Sequence, residues 1–181
     1  SFMDKKEKEE LLKEIKEYTK KIEEEPNNAS YYNNRGIAYS NLEDYEKAIQ
    51  DYNRAIELNP NDNISYYNRG TAYYCLKEFE KAIENYNKGI ELNPNDNFVY
   101  FNRGNIHFKL EKYEKAIQDY NKAIELEPND ASYYNNRGTI FTNLEKYEEA
   151  IQDYNRAIEL EPNDASTYFN RGIAFANLNN Y

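Results

Sequence analysis

Asn-Arg-Gly stands at Asn34-Arg35-Gly36 and returns at Asn68-Arg69-Gly70, Asn102-Arg103-Gly104, Asn136-Arg137-Gly138 and Asn170-Arg171-Gly172, each time 34 residues on. The prolines keep the same interval at Pro26, Pro60, Pro94, Pro128 and Pro162, and there are no others. Of the six glycines only Gly89 lies outside the tripeptides. A period of this length means that one supersecondary unit is written several times. Such units bury their apolar faces against neighbours, so the 181 residues do not share one central core.

Residues 29–62, ASYYNNRGIAYSNLEDYEKAIQDYNRAIELNPND, hold two helical patterns. Tyr32, Arg35, Gly36 and Tyr39 recur at the spacing of one helix face, and so do Tyr45, Ala48, Ile49, Tyr52, Ala55 and Ile56. Pro60 stops the second pattern, and Asp62 is placed to cap the helix that follows. Two helices of about 13 residues joined by a tight turn make an αα-hairpin. No β-branched alternation persists long enough for a strand.

Two of the repeated residues look costly where they stand. A mid-helix glycine gives up roughly 1 kcal/mol relative to alanine, so Gly36, Gly70, Gly104, Gly138 and Gly172 must permit a close approach. Ala48, Ala82, Ala116 and Ala150 are the small residues expected opposite them. Arg35, Arg69, Arg103, Arg137 and Arg171 fall on the inward stripe, where a bare guanidinium needs a carboxylate. Asp51, Asp119 and Asp153, with Asn85 in the second unit, recur just before the second-helix tyrosine and are the expected partners.

The framework Tyr32, Gly36, Tyr39, Ala48, Tyr52, Ala55, Pro60 resembles the tetratricopeptide repeat. The resemblance implies an all-α fold, a right-handed superhelix (α-solenoid) of helix-turn-helix repeats. It divides the chain into an N-terminal helix within 1–28, repeats at 29–62, 63–96, 97–130 and 131–164, and the first helix of a fifth at 165–181. The first helix, about Asp4 to Glu25, is in register with the second helix of a repeat through Tyr18, Ile22 and Pro26. Half a unit, four whole ones and a half read as a piece of a longer array, and Ser1-Phe2 ahead of Met3 as an added scar. The arginines stand where the family usually has leucine. Glu43, Lys77, Glu111 and Glu145 stand where a turn glycine is common, and Gly89 replaces an alanine.

The opposite face of each first helix carries the functional expectation. It holds Ser30, Asn33, Asn34, Ile37, Ser40 and Asn41, then Ile64, Tyr67, Asn68, Thr71, Tyr74 and Cys75. Next come Phe98, Phe101, Asn102, Asn105, Phe108 and Lys109, then Ser132, Asn135, Asn136, Thr139, Thr142 and Asn143, and last Ser166, Phe169, Asn170 and Ile173. An ordinary solvated face would be Lys and Glu, and this one has a single charge. In the family the face lines a concave groove, whose centre here would be Tyr67, Tyr74, Phe98, Phe101 and Phe108. Asn34, Asn68, Asn102, Asn136 and Asn170 would form an amide ladder able to grip a peptide backbone. The ladder is similar to that of O-linked N-acetylglucosamine transferases, where matching asparagines hold substrate backbone. The alternative is that these amides bond only their own neighbours. Repeats that clamp acidic chaperone tails carry Lys and Arg on this face, where this chain has Asn33, Ile37, Ser132 and Ser166.

Composition removes other classes. A net charge of −10 and a pI near 4.8 argue against nucleic acid. No apolar run approaches the roughly 20 residues of a membrane helix, and SFMDKKEKEE lacks the apolar core of a signal peptide, so a cytoplasmic setting is expected. A lone Cys75 fits a reducing compartment. His107, the single histidine, reads as a groove-rim or packing residue, and nothing clusters into a catalytic or metal site. The expectation is a scaffold with no enzyme activity and no cofactor, binding an extended segment of a protein or peptide partner. The rivals are a self-associating structural solenoid and a regulatory array beside an absent enzyme domain. Weak head-to-tail self-association is expected, with Tyr168, Phe175, Leu178 and Tyr181 of one copy meeting Leu11, Ile15, Tyr18 and Ile22 of the next.

Overall fold

The structure, a computed structural model, describes residues 3–180. Ser1, Phe2 and Tyr181, which entered the expectations above, lie outside the described residues. The described residues form helices α1 (Lys5–Glu24), α2 (Ala29–Asn41), α3 (Tyr45–Leu58), α4 (Asn63–Cys75) and α5 (Phe79–Leu92). Then follow α6 (Asn97–Lys109), α7 (Tyr113–Leu126), α8 (Ala131–Asn143), α9 (Tyr147–Leu160) and α10 (Ala165–Leu178). There is no strand among them.

Local chemistry sets the ends. The side chains of Asn28, Asp62, Asp96, Asp130 and Asp164 each accept from a backbone N–H in the first turn of a first helix. Asp4 caps α1 and Glu7 reaches back to the Asp4 N–H, a reciprocal box. The first helices α2, α4, α6 and α8 end with a left-handed residue: Glu43 (φ 64°), Lys77 (60°), Glu111 (56°) and Glu145 (59°). At the first of these the Asp44 N–H donates to the Tyr39 carbonyl and the Glu43 N–H to that of Ser40. This Schellman closure normally takes glycine, so a side-chain-bearing residue is strained there.

The chain divides into two compact units, residues 1–94 and 95–181. In the first, α1 packs on α2, α2 on α3, α3 on α4 and α4 on α5. In the second, the same order runs from α6 to α10. Both cores are layers of alanine and tyrosine: Ala48, Tyr52 and Ala72 in one, and Ala116, Tyr120 and Ile140, then Ala150, Tyr154 and Ala174, in the other.

The glycines permit a close approach, but not of the groups expected. A Cβ on Gly36 would fall 2.6 Å from the Tyr52 ring, and Cβ atoms on Gly70, Gly104 and Gly138 would fall 2.9 Å from Tyr86, Tyr120 and Tyr154. The ring of the second-helix tyrosine approaches the bare backbone at each of these glycines. The alanines are fully buried beside that contact rather than making it. Gly172 has nothing within 4 Å.

Two outcomes follow. Gly138→Ala should lower stability by roughly 1–3 kcal/mol because the Tyr154 ring must shift. Gly172→Ala should raise the stability of α10 by about 0.5–1 kcal/mol, since only helix propensity changes. Denaturant unfolding and amide exchange in α10 separate the two. Glu111→Gly should also stabilise, by about 1 kcal/mol, by relieving the left-handed turn.

Candidate functional site

The repeated arginine fixes how each first helix stands. Arg35 grips Asp51 through Nε (2.8 Å) and Nη2 (2.7 Å), and its Nη1 donates to the Thr19 hydroxyl on α1. Arg103 holds Asp119 in the same two-pronged way. Arg137 holds Asp153 and also reaches Asn121 on α7 (2.8 Å). Arg69 makes the version without a carboxylate, taking Asn85 and Asn53. The residue sixteen ahead belongs to the arginine's own hairpin, and the residue sixteen behind belongs to the preceding second helix. One guanidinium therefore joins three helices. The sequence indicated the forward partner, while the backward one was missed, although the amide at 53, 121 and 155 was the available signal. The hydrogen bond from Arg137 to Asp153 holds the guanidinium charged, while burial pushes the Asp153 carboxyl up against that pull. The pair is ionised and spans the hairpin.

With the arginines turned inward, the other face of each first helix is left to amides and apolar groups. In the first unit Asn68 on α4 donates through Nδ2 to Asn33 Oδ1 on α2 (3.2 Å). In the second, Asn136 on α8 donates to Asn105 Oδ1 on α6 (3.0 Å). Each uses one N–H and keeps its carbonyl oxygen and second N–H without a partner among the described residues. Asn34 and Asn170 are half-buried and Asn102 lies in the same register. Asn105 is more committed than expected, since its oxygen also accepts the buried Tyr120 hydroxyl at 2.6 Å. Ser40, Thr71 and Thr139 meet the hydroxyls of Tyr52, Tyr86 and Tyr154 in the same way. Burial pushes the Tyr52 hydroxyl up to about 12, so it stays a neutral bonding group.

The expected aromatic centre divides between the units, Tyr67 and Tyr74 in one and Phe98, Phe101 and Phe108 in the other. Tyr67 rests on the Tyr86 ring and Tyr74 on Phe79, each at 5.8 Å between centroids. Phe101 lies against Tyr120 and Tyr133, and Phe108 against Tyr113. These four are half-buried, and Phe101 and Phe108 pack on the Ala116–Tyr120–Ile140 cluster. The side chains that stand out are Phe98 (58% exposed), Ile64, and on α10 Phe169 (69%) and Ile173.

A tetratricopeptide repeat model matches residues 29–62, 64–96 and 98–130, and related models match 119–152 and 138–179. The chain belongs to the tetratricopeptide repeat family. Among solved structures it is similar to YrrB, a TPR protein described as having an unusual peptide-binding site. The identity there is 26% over 90% of this chain and 84% of the other, with a TM-score of 0.79. MamA is similar at 25% identity over 92% and 99%, with a TM-score of 0.81. The first TPR of Spaghetti, bound to the HSP90 peptide SRMEEVD, is similar at 30% identity over 64% and 92%, with a TM-score of 0.62. No curated protein matches.

Within these tetratricopeptide repeats His107 takes the position that is tyrosine or phenylalanine at Tyr39, Tyr73, Phe141 and Phe175. It is buried, its Nε2 is 3.8 Å from Asp119 Oδ2, and its Nδ1 has no partner among the described residues. Burial lowers its pKa from 6.5, with Arg103, Lys115 and Lys112 adding to the effect and Asp119 opposing it. It is a packing residue rather than a groove-rim one. No group of His, Cys, Asp and Glu that could hold a metal ion occurs among the described residues.

The lowered value fixes a pH dependence. The unfolded chain takes up a proton on this imidazole near its ordinary 6.5, while the folded chain resists it. Stability is therefore full above that pH and falls as the pH drops from there toward the lowered folded value. His107→Phe should remove this component, so the stability difference between variant and parent should grow on acidification below 6.5. Parallel denaturant titrations of the two proteins across that range measure it.

Proposed function

We propose that the chain is a protein–protein interaction scaffold that holds an extended peptide segment on the outer faces of its first helices. The observation that carries this reading is the pair of tethered amides. Asn68 and Asn136 are each held by one internal hydrogen bond, which leaves a carbonyl oxygen and an N–H without a partner among the described residues. That is the complement of a peptide unit, and the internal bond lowers the cost of ordering the side chain at binding. Phe98, Phe169 and Ile173 supply the apolar contact.

Similarity to YrrB and to the peptide-bound Spaghetti repeats supports a peptide partner. The Spaghetti peptide is acidic, and this chain lacks the matching cations, with Asn33, Ile37, Ser132 and Ser166 on the face in question. The ligand read here is uncharged or apolar. The role read here is that of a scaffold, in keeping with the tetratricopeptide repeat family, and no described helix is long and apolar enough to cross a membrane.

Head-to-tail association through α1 is opposed by register. One period before the fully buried Ala48 stands Glu14, and one period before the buried Ala55 stands Lys21. A first helix laid on α1 would bury both charges. Tyr168 and Phe175 on α10 are exposed as expected, while Leu178 packs on the Ala150–Tyr154 cluster.

Changing Asn68, Asn102 and Asn136 together to alanine should weaken binding of a labelled panel of uncharged peptides by similar factors. Each lost hydrogen bond corresponds to about 1 kcal/mol. Fluorescence anisotropy reads the affinities and circular dichroism the fold. Loss for one peptide alone would sink the backbone grip, and so would unchanged affinities.

A further inference from the structure

The Tyr120 hydroxyl and the Asn105 amide link the core to the outer face in a way that the other repeats lack. A Cβ on Gly104 would fall 2.9 Å from the Tyr120 ring, so bare backbone seats the ring and its hydroxyl reaches the next residue, Asn105. The two side chains meet at 2.6 Å. That length belongs to O–H···O rather than N–H···O, so the amide oxygen faces inward. Asn136 on α8 donates to the same oxygen at 3.0 Å, and both of its lone pairs are then used.

The other core tyrosines end on hydroxyls. Tyr52 meets Ser40, Tyr86 meets Thr71, and Tyr154 meets Thr139 and Thr142. Thr71 and Thr139, which hold the register of Asn105 in their repeats, donate to the backbone carbonyls of Tyr67 and Asn135. Their protons are spent on their own helices. Asn105 has no such outlet, because its Nδ2 has no partner among the described residues. His107 Nδ1 is the one buried side-chain polar atom among them without a partner, so Nδ2 of Asn105 is open to solvent. Two N–H donors therefore stand fixed on the outer face of α6, with Phe101 one turn before them and Phe108 one turn after.

We propose that Asn105 is the residue by which the second compact unit selects its ligand, a donor-only position that takes a neutral carbonyl oxygen and is held in that sense by Tyr120. This role rests on peptide binding at the outer face and gives that face a direction. Asn136 offers a donor and an acceptor and suits either sense of a peptide unit, whereas Asn105 accepts nothing more. A carbonyl between two apolar residues meets the donors and the flanking rings together. An N–H or ammonium in its place would be desolvated without an acceptor, which costs more than the bond it replaces. A net charge of −10 disfavours a carboxylate there. Tyr120 touches no ligand and acts as a positioning residue through Asn105.

Fluorescence anisotropy with the labelled uncharged peptides used above tests this. Asn105→Asp keeps an acceptor for Tyr120 and Asn136 but turns the outward donors into an acceptor, and should weaken binding about tenfold or more. Asn105→Thr installs the residue of the neighbouring repeats and should weaken it about fivefold, as should Tyr120→Phe. Tyr154→Phe is the control, since its equally buried hydroxyl meets Thr139 and Thr142 instead of an amide, and affinity should be unchanged. In the free protein the side-chain NH2 signals of Asn105 and Asn136 should move in NMR spectra on Tyr120→Phe and not on Tyr154→Phe. Equal losses from the two tyrosine changes would overturn the role of Tyr120, and full affinity in Asn105→Asp would overturn that of Asn105. If changing Asn68, Asn102 and Asn136 weakens binding while Asn105→Asp does not, the outer face binds without selection at Asn105. If no peptide binds the parent chain, the outer face is not the site and Asn105 selects nothing.

Discussion

A guanidinium on the inner side of a first helix is the constraint on which the rest of this chain depends. Isolated, it would be strongly destabilising, and it is tolerated because its donors are taken on both sides. Nε and Nη2 of Arg35 close on Asp51, while Nη1 meets Thr19 on the preceding helix. An apolar residue at this position would fix only volume. The two-pronged pair also fixes direction, since planar fork and carboxylate must share a plane. A slip of one residue in either second helix would leave a buried charge unpaired. Register is thereby specified at the α2–α3, α6–α7 and α8–α9 hairpins, even though alanine and tyrosine layers alone would tolerate sliding.

That internal use of charge bears on the outer surface. Excess carboxylate sits on the second helices, where Arg54–Glu57, Lys88–Glu91, Lys122–Glu125 and Arg156–Glu159 form exposed pairs worth little to stability. The first helices are relieved of carrying solubility, and their outer faces keep amides and rings. The buried second-helix tyrosines connect the two sides. The hydroxyl of Tyr120 passes through the core to Asn105, whose oxygen also orients Asn136. A residue that packs the interior thus sets the direction of an amide on the binding face.

Much of this was legible in the sequence because the repeat averages out local noise. Helix positions, Asp caps and the Arg–Asp partners each recur, and a contact seen in one unit is implied in the next. Legibility failed where three dimensions decide between neighbours on one face. Alanine was expected opposite glycine because both are small, yet the Cβ vector of Gly138 points at the Tyr154 ring. Phe101 and Phe108 were placed in the groove because they share its stripe, and ring size draws them back over Tyr120 and Tyr113. The second partner of each arginine lies in another repeat, beyond any pattern confined to one unit.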